Sequence, residues 1–307
     1  MNLVISMATR ARPEQVVDTI RKSIANWTNP ETLLQVQLDH DDPAPYEALT
    51  KAKLGDCVLL NVQQREDTVA AKWNRALALP ADVYLVVGND DPYVTPGYDD
   101  KILDAAKRFP DGIGMVYGHL ANLTFSGSVA PTAGLCRKMG YIQPEYFPYW
   151  FCDHWTDDIC RLIGRISVAD IRTDQSRAGK TQEMREPGWW ATWFDAAYLM
   201  RRRQARAIID SADFAGEPWH KELLRTHYPL IEQRSRGVNE GVRRDPNIKA
   251  MSSSDLKDAR YLRVKQKALG MVAGFLDDPE MPENERMWFR NILTPPTTIT
   301  GLKQAFA

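Results

Sequence analysis

The sequence VYLVVGNDDPYVTPGYDD, residues 83–100, contains a short apolar run that leads directly into two adjacent carboxylates. Residues 83–87 predict a buried strand, and Asp90 and Asp91 follow after one glycine and one asparagine. Adjacent carboxylates repel each other, and each loses hydration free energy when its surroundings are dry. A divalent cation would relieve both costs, because Mg²⁺ and Mn²⁺ prefer oxygen ligands. A polar turn that ends the strand is the alternative interpretation.

Apolar runs of the N-terminal half alternate with helical patterns. The patterns predict strands over residues 3–7, 33–39, 57–62, 83–87 and 114–117, and helices that begin near residues 13, 68 and 96. This alternation is typical of βαβ units and predicts an α/β fold with a mostly parallel sheet. In such sheets ligands bind beyond the carboxyl ends of the strands. Because Asp39, Asp90 and Asp91 all lie at strand ends, we expect them to share one site.

The regular alternation ends near residue 118. Residues 119–150 are predicted to be rich in loops, residues 157–166 to form a helix, and residues 189–212 to form one long helix. Residues beyond 212 are predicted to be helical with polar interruptions. The sequence therefore predicts an α/β half that is followed by a helical C-terminal region.

Composition places the chain among ordinary globular proteins. Of its 307 residues, 44% are hydrophobic and 26% are charged, which excludes a disordered or fibrous class. The four cysteines form no C-x-x-C pair, so neither a structural zinc site nor a redox dithiol is expected. The sequence has no run of about 18 apolar residues, so we expect no membrane span. Together these features predict a soluble protein of the reducing cytoplasm.

Charge is unevenly distributed along the chain. The net charge is −1, but residues 201–267 contain 16 Lys and Arg against 9 Asp and Glu, a difference of +7, so the remainder carries −8. An excess of positive charge in one region can attract a polyanion. Solvated helix faces are the alternative explanation.

Several motifs stand in an order that resembles a known enzyme family. An N-terminal strand leads to Arg12 and Pro13, a second strand ends in Asp39, and AKWNRAL (71–77) precedes GNDD (88–91), Pro96-Gly97 and, much later, HWTDD (154–158). Over roughly residues 2–170 this order resembles the GT-A-fold glycosyltransferases, specifically family 2 of the nucleotide-sugar glycosyltransferases. The resemblance implies a Rossmann-like fold in which residues 1–118 bind the nucleotide sugar and residues 119–195 complete the acceptor side. Residues 196–307 would form a basic helical region.

The resemblance also implies roles for the acids at the strand ends. Asp39 corresponds to the acid that contacts the base or ribose of the nucleotide. Asp91 corresponds to the metal-binding acid of the DxD-type motif, and Asp90 shares the metal or contacts the ribose. The metal, Mn²⁺ or Mg²⁺, would bridge the diphosphate and neutralise charge on the leaving nucleoside diphosphate. Asn89 departs from the strict motif, because an alignment on Pro96-Gly97 places the first acid at position 89.

On the acceptor side, Asp157 resembles the general base of inverting members, and Asp158 is the second candidate. A base is needed because the acceptor hydroxyl must lose its proton as it attacks the anomeric carbon. These acids could instead cap a helix N-terminus. His154 is a candidate ligand for the metal or the acceptor. Arg10 and Arg12 are candidates for contacts with the nucleotide, because guanidinium groups pair well with phosphate.

Other enzyme classes fit the sequence less well. A nucleotidyltransferase of the same fold needs a glycine-rich loop after the first strand, and residues 6–12 contain no glycine. A dinucleotide oxidoreductase would carry G-x-G-x-x-G after a strand, and this motif is absent. The cysteines and acids around His154 match no standard spacing of a zinc hydrolase.

We therefore predict a metal-dependent, inverting glycosyltransferase that moves a sugar from a nucleotide sugar to a hydroxyl acceptor. A UDP-sugar is the commonest donor in the family that the sequence resembles. The acceptor is predicted to be a glycan or a hydroxymethylated base of DNA, the latter because of the basic segment 201–267. The alternative is a non-catalytic nucleic-acid-binding protein that uses the basic C-terminal helices.

Overall fold

A computed structural model describes residues 1–118, 129–174, 184–246, 248, 252–253 and 257–294. A seven-stranded sheet forms its centre, and a short parallel pair, β8 and β9, lies outside that sheet. The strands are β1 (Leu3–Ala8), β2 (Leu33–Asp39), β3 (Val58–Gln63), β4 (Val83–Val87), β5 (Met115–Tyr117), β6 (Val129–Pro131), β7 (Ile166–Val168), β8 (Met184–Arg185) and β9 (Ser252–Ser253).

Helices flank the sheet and form the C-terminal region. Those of the N-terminal half are α1 (Pro13–Ile24), α2 (Pro43–Ala52), α3 (Val69–Asn74) and α4 (Tyr98–Ala106). They are followed by α5 (Ala133–Met139), α6 (Cys152–Leu162), α7 (Pro187–Ala196), α8 (Tyr198–Ile209), α9 (Trp219–Arg244), α10 (Ala259–Leu276) and α11 (Glu283–Leu293).

The strand order of the sheet is β3-β2-β1-β4-β6-β5-β7. The first four strands in this order run parallel, β6 is antiparallel to both of its neighbours, and β7 pairs in parallel with β5. The carboxyl ends of β1 to β4 therefore meet at one edge of the sheet. The predicted mostly parallel sheet with a helical C-terminal region is confirmed.

The central strands are buried because helices cover both faces of the sheet. β1 and β4 are nearly continuous apolar runs, as expected of parallel strands without a solvated face. α1 packs onto the sheet through Val16 and Ile20. α1 and α2 each begin with a proline, at positions where the missing N–H has no partner inside the helix.

The predicted single helix over residues 189–212 is wrong, because the chain forms two helices that meet at Ala197. α7 places Trp190, Trp193 and Phe194 in the core, whereas α8 carries several arginines on its outer side. Eight of the ten residues of α7 are buried, against six of the twelve residues of α8.

One of two hydrophobic clusters connects the sheet to the C-terminal helices. Val4 of β1, Trp155 of α6, Trp193 of α7 and Phe275 of α10 belong to it. The assignment of nucleotide-sugar binding to residues 1–118 and of the acceptor side to residues 119–195 remains a prediction. Among the helices of the described residues, none combines the length and the apolar composition that a membrane span needs.

Candidate active site

A cleft of about 560 Å³ opens at the carboxyl ends of the parallel strands. Its floor carries Arg65, Asp39, Arg10 and Asp90, which follow β3, β2, β1 and β4 and therefore stand in this order along the sheet edge. The opposite wall comes from the later parts of the chain, namely Pro148, Tyr149, Arg185, Asp258, Arg260 and Tyr261. A cleft in this position is the usual ligand site of a parallel α/β sheet.

Asp39 is buried in the floor of this cleft. Its Oδ2 accepts hydrogen bonds from Lys72 Nζ at 2.8 Å and from Arg10 Nη1 at 3.0 Å. Its Oδ1 has no hydrogen-bond partner among the described residues. Burial lowers the pKa of Lys72, and the hydrogen bond to Asp39 opposes that shift. The carboxylate is therefore held by two cations, and one oxygen is left for a donor group of a ligand.

Asp90 and Asp91 converge above Gly88. A Cβ atom at residue 88 would lie 2.8 Å from Asp90 Oδ1 and 2.8 Å from Asp91 Oδ2, so any larger residue here would displace the two carboxylates. Burial raises the pKa of Asp91 to about 6, and the charge of Asp90 contributes to the shift. Asp90 lines the cleft, whereas Asp91 lies beside it and is not a lining residue. The two carboxylates thus repel each other at close range, as their adjacency in sequence predicts.

This pair of acids fits a divalent cation that also binds a diphosphate. Within the described ranges no group of three or more His, Cys, Asp or Glu side chains is arranged to hold a metal by itself. Mg²⁺, however, is usually bound by only one or two protein carboxylates together with substrate phosphates and water. The converging oxygens of Asp90 and Asp91 match that requirement, and the cation would remove their mutual repulsion.

The arginines that follow β1 bind the acids of the cleft. Arg12 Nη1 lies 2.9 Å from Asp90 Oδ2, and Arg10 pairs with Asp41 as well as with Asp39. The Asn89 side chain turns inward and donates to Thr9 Oγ1 at 2.9 Å. Residue 89 thus ties the end of β4 to the loop after β1 instead of adding a third carboxylate.

Asp157 and Asp158 lie outside the cleft, in a buried cluster of charged groups. Asp157 accepts hydrogen bonds from Tyr117, at the end of β5, and from Arg161 Nε, and it forms an ion pair with Arg234. Neither acid lines the cleft. β4 and β5 both run antiparallel to β6, so their carboxyl ends lie at the same edge of the sheet. Tyr117 is the last residue of β5, and the cluster is therefore close to the edge that carries the cleft.

Asp158 binds the most deeply buried arginine of the described residues. Arg201 Nε lies 2.9 Å from Asp158 Oδ2, and both side chains are fully buried. Burial raises the pKa of Asp158 and lowers the pKa of Arg201 to about 10. Arg234 also binds Asp158. The cluster therefore joins α6 to α8 and α9. The HWTDD motif gives no indication of this structural role.

His154 is likewise separated from the acids of the cleft. Its Nδ1 lies 2.9 Å from Asp153 Oδ1, and its ring contacts Phe151 and Phe194. It is not a lining residue of the cleft. Its suggested role in metal or acceptor binding remains a prediction.

Three cations that line the cleft, Arg65, Arg185 and Arg260, were not predicted from the sequence. Arg185 comes from a later part of the chain and pairs with Asp258. Arg65 lies two residues beyond β3. Its position after the carboxyl end of a strand could have identified it as a residue of the cleft. Arg260 comes from a distant part of the chain, and no local pattern marks it. Burial lowers the pKa of Arg65, and the charges of Arg260 and Arg10 lower it further. Among the described residues, Arg65 has no carboxylate in ion-pair contact.

Ion pairs account for most of the positive charge of the C-terminal region. Several partners lie outside the basic segment, including Asp67 for Arg263, Glu186 for Lys265, and Glu280 for Arg202. Further pairs join Arg203 to Asp278, Arg236 to Glu285, Arg225 to Glu222, and Arg244 to Glu240. The excess of +7 in residues 201–267 is thus largely matched by acids of the segment itself and of the rest of the chain. The charge asymmetry no longer favours a polyanionic partner.

Known proteins resemble this chain in fold and not in sequence. No protein-family model matches it, and no curated protein sequence matches it. Among solved structures, S. aureus TarS 1–349 in complex with UDP-GlcNAc matches with a TM-score of 0.52 and 14% identity, over 88% of this chain and 81% of that chain. The complex of TarS 1–349 with UDP matches with a TM-score of 0.49 and 14% identity, over 92% and 93% of the two chains.

At this level of identity the likeness concerns the fold. The match to the UDP-GlcNAc complex extends over most of both chains. The predicted GT-A fold is confirmed.

Proposed function

We propose that this protein is a glycosyltransferase that moves a sugar from a nucleotide sugar, most simply a UDP-sugar, to a hydroxyl group of an acceptor. The observation that carries the proposal is the buried Asp39, whose Oδ2 is fixed by two cations and whose Oδ1 has no partner among the described residues. The converging pair Asp90 and Asp91 lies at the same sheet edge. TarS, a GT-A-type glycosyltransferase with the same fold, binds UDP-GlcNAc, which supports a UDP-sugar as donor.

The row of strand ends suggests how the donor lies in the cleft. Asp39 Oδ1 would accept a hydrogen bond from the base or from a ribose hydroxyl. Asp90 and Asp91 lie two strands away, so the diphosphate and the sugar would extend toward β4. Arg65 and Arg12 offer guanidinium groups to the phosphates. Lys72 serves mainly to fix Asp39, because its ammonium group already donates to Asp39 and to Thr9 O.

Asp90 and Asp91 are the residues that would hold a divalent metal. When bound, the metal would neutralise the charge that develops on the leaving nucleoside diphosphate. The raised pKa of Asp91 indicates that its carboxylate lacks a compensating cation in the protein alone. Arg12 would keep the Asp90 carboxylate oriented beside the metal.

For the acceptor side we retain Asp157 as the proposed base of an inverting transfer, with Asp158 as its neighbour. Both oxygens of Asp157 accept hydrogen bonds from Arg161 Nε. The carboxylate must therefore release part of this contact before it can take a proton. Asp158 is more deeply enclosed by Arg201 and Arg234, which makes it the weaker candidate.

The acceptor is proposed to be a glycan or a hydroxymethylated base of DNA, and the ion pairs of the C-terminal region remove the main reason to prefer DNA. The same ion pairs weaken the alternative of a non-catalytic nucleic-acid-binding protein. Tyr149, which is exposed on the acceptor-side wall, is available to stack on either a sugar or a base.

A thermal-shift panel tests the donor site. UDP, GDP, TDP and CMP are each added to wild type and to Asp39→Asn, in Mn²⁺ and in EDTA. A ligand that binds only the native state raises the unfolding midpoint. We expect UDP to give the largest shift in Mn²⁺ and the shift to shrink in Asp39→Asn. Equal shifts in both proteins, or no shift with any nucleotide, would contradict the proposal.

A further inference from the structure

We propose that a second site, outside the nucleotide cleft, binds a small amphipathic anion, which has an oxyanion head and a short apolar tail. The site is a cavity of about 390 Å³ at the C-terminal end of α6, between the start of β7 and α9. No residue of the nucleotide cleft lines it. The inference therefore does not depend on the proposed transferase activity.

Basic side chains form the polar part of the cavity. Arg161, His227 and Arg234 line it, and no carboxylate does. Arg161 uses Nε for both oxygens of Asp157, and its two terminal nitrogens have no partner among the described residues. These nitrogens form the fork that binds carboxylate or phosphate in a bidentate manner. An oxyanion at this position would complete the hydrogen bonds of Arg161.

The charge behind the cavity also favours an anion. Arg161 and Arg234 share the buried Asp157, while Asp158 binds both Arg234 and the buried Arg201. Three guanidinium groups thus face two carboxylates. Asp195 is a further carboxylate near Arg201, and its Oδ2 accepts a hydrogen bond from Asn239. At the cavity itself Arg161 and Arg234 contribute positive charge, and no lining residue is a carboxylate.

Aliphatic side chains form the rest of the wall. Leu223, Leu230 and Ile231 of α9 face Ile166 of β7 across the cavity. Leu230 is 56% exposed, which leaves a large apolar side chain at the mouth without cover. Such a wall excludes a bare inorganic anion as the best ligand, because burial of a hydrocarbon tail adds binding free energy in proportion to its area.

His227 adds a second polar contact. Its Nδ1 lies 3.2 Å from Leu223 O, a group that can only accept, so Nδ1 carries a proton. The Nε2 atom is then the nitrogen that remains for the ligand, and it donates to an oxyanion only when the ring carries a proton on both nitrogens. A head group between Arg161 and His227, with its tail along Leu230, uses each type of side chain that the cavity offers.

Isothermal titration calorimetry with a homologous series tests this site in the full-length protein. The probes are sodium acetate, butanoate, hexanoate and octanoate, with octan-1-ol as the uncharged analogue, at constant ionic strength. We expect octanoate to bind at one equivalent, and each added methylene to tighten binding about three- to fourfold. Octan-1-ol should bind at least about tenfold more weakly, because it cannot pair with the guanidinium fork.

Two variants and one control complete the experiment. Arg161→Gln and Leu230→Asp should each weaken octanoate binding at least about tenfold. Leu230→Asp keeps the test independent of folding, because this side chain is largely exposed. Arg206→Gln removes an exposed arginine of α8 that does not line the cavity, and it should change nothing.

Three results would overturn the proposal: equal affinity for octan-1-ol and octanoate, no gain with chain length, or octanoate binding that survives Leu230→Asp. UDP serves as an internal reference. Its binding reports on the nucleotide cleft, so failure of the donor proposal and failure of the second site are observed separately.

Discussion

Lys72 Nζ lies 2.8 Å from Asp39 Oδ2, and the two side chains are only 9% and 1% exposed. A buried ion pair loses much hydration free energy, which its attraction offsets only with good geometry and additional hydrogen bonds. Lys72 meets this condition because it also donates to Thr9 O, at the end of the first strand. The pair thus fixes the carboxylate in one orientation and leaves Asp39 Oδ1 for a ligand.

Asp39→Asn should lower the affinity for UDP by about 10- to 100-fold. A hydrogen bond to a charged group contributes about 1.5–3 kcal/mol, and the amide group offers one acceptor oxygen where the carboxylate offers two. Isothermal titration calorimetry measures the change. Asp41→Asn is the matched control, because Asp41 also binds Arg10 but is far more exposed. Equal affinity in wild type and Asp39→Asn would exclude a direct contact with the nucleotide.

Binding of UDP in the presence of Mn²⁺ should weaken as pH falls below about 6. The pKa of Asp91 is raised to about 6, and metal binding needs the deprotonated carboxylate. We expect the affinity to fall about tenfold per pH unit below this value and to be constant above it. Calorimetric titrations between pH 5 and 7.5 would show this, and a flat profile would contradict it.

The same shift predicts an effect on stability in the absence of metal. Because the folded-state pKa of Asp91 is raised, its charged form is disfavoured in the folded protein. Its contribution to the free energy of unfolding therefore decreases as pH rises from about 4 to about 6. Asp91→Asn should remove this decrease and make the metal-free protein more stable than wild type at pH 7. Urea unfolding at several pH values checks the sign.

Asp157→Asn should reduce sugar transfer by at least about 100-fold if Asp157 is the base, with unchanged affinity for UDP. Release of UDP from the UDP-sugar donor measures transfer. Arg161→Gln is the matched control, since it removes one of the two ion pairs of Asp157 and retains the carboxylate. A similar loss of activity in both variants would show that the acid acts only through the structure of the charged cluster.

Arg65→Gln should lower the affinity for UDP by about tenfold and leave the affinity for uridine nearly unchanged. Arg65 has no carboxylate in ion-pair contact among the described residues, and Arg260 and Arg10 repel it, so a phosphate would relieve that repulsion. The free energy of unfolding should stay constant or increase. Arg108→Gln, which replaces an exposed arginine after α4, is the control. Equal losses for UDP and uridine would assign Arg65 to the nucleoside instead.

Local sequence predicted the sheet and the acids at its edge. Apolar runs such as Val83–Val87 are long enough to indicate a buried strand, and the parallel arrangement brings their ends together. Asp39 and Asp90 could therefore be placed in one site before any contact was known. The convergence of Asp90 and Asp91 above Gly88 is likewise a consequence of adjacent positions.

Features that depend on distant contacts were not predicted. Arg260 reaches the cleft because α10 packs beside the loop after β3, where Arg263 binds Asp67. The ion pair of Asp158 and Arg201 joins α6 to α8, two helices that are about 40 residues apart in the sequence. Asp158 of the HWTDD motif is therefore part of a buried structural contact. The break between α7 and α8 at Ala197 has a similar origin, because tertiary burial of α7 overrides a continuous helical pattern.

The charge of the C-terminal region illustrates a limit of composition. A count of +7 suggests a surface for polyanions, but it cannot reveal which acids lie opposite. Asp67, Glu186 and Glu280 supply such partners from distant positions. The net charge of a segment therefore indicates a binding partner only when the fold shows which of its charges are already paired within the chain.

Calorimetric titration of UDP into wild type and Asp91→Asn, each in Mn²⁺ and in EDTA, tests the central claim most directly. Asp104→Asn, at an exposed carboxylate of α4, is the control. We predict that wild type and the control bind UDP at least about tenfold more tightly in Mn²⁺ than in EDTA, and that Asp91→Asn shows no such gain. If wild type does not bind UDP, or if Mn²⁺ strengthens binding equally in Asp91→Asn, the strand ends at Asp39 and Asp91 do not form a metal-assisted nucleotide-sugar site.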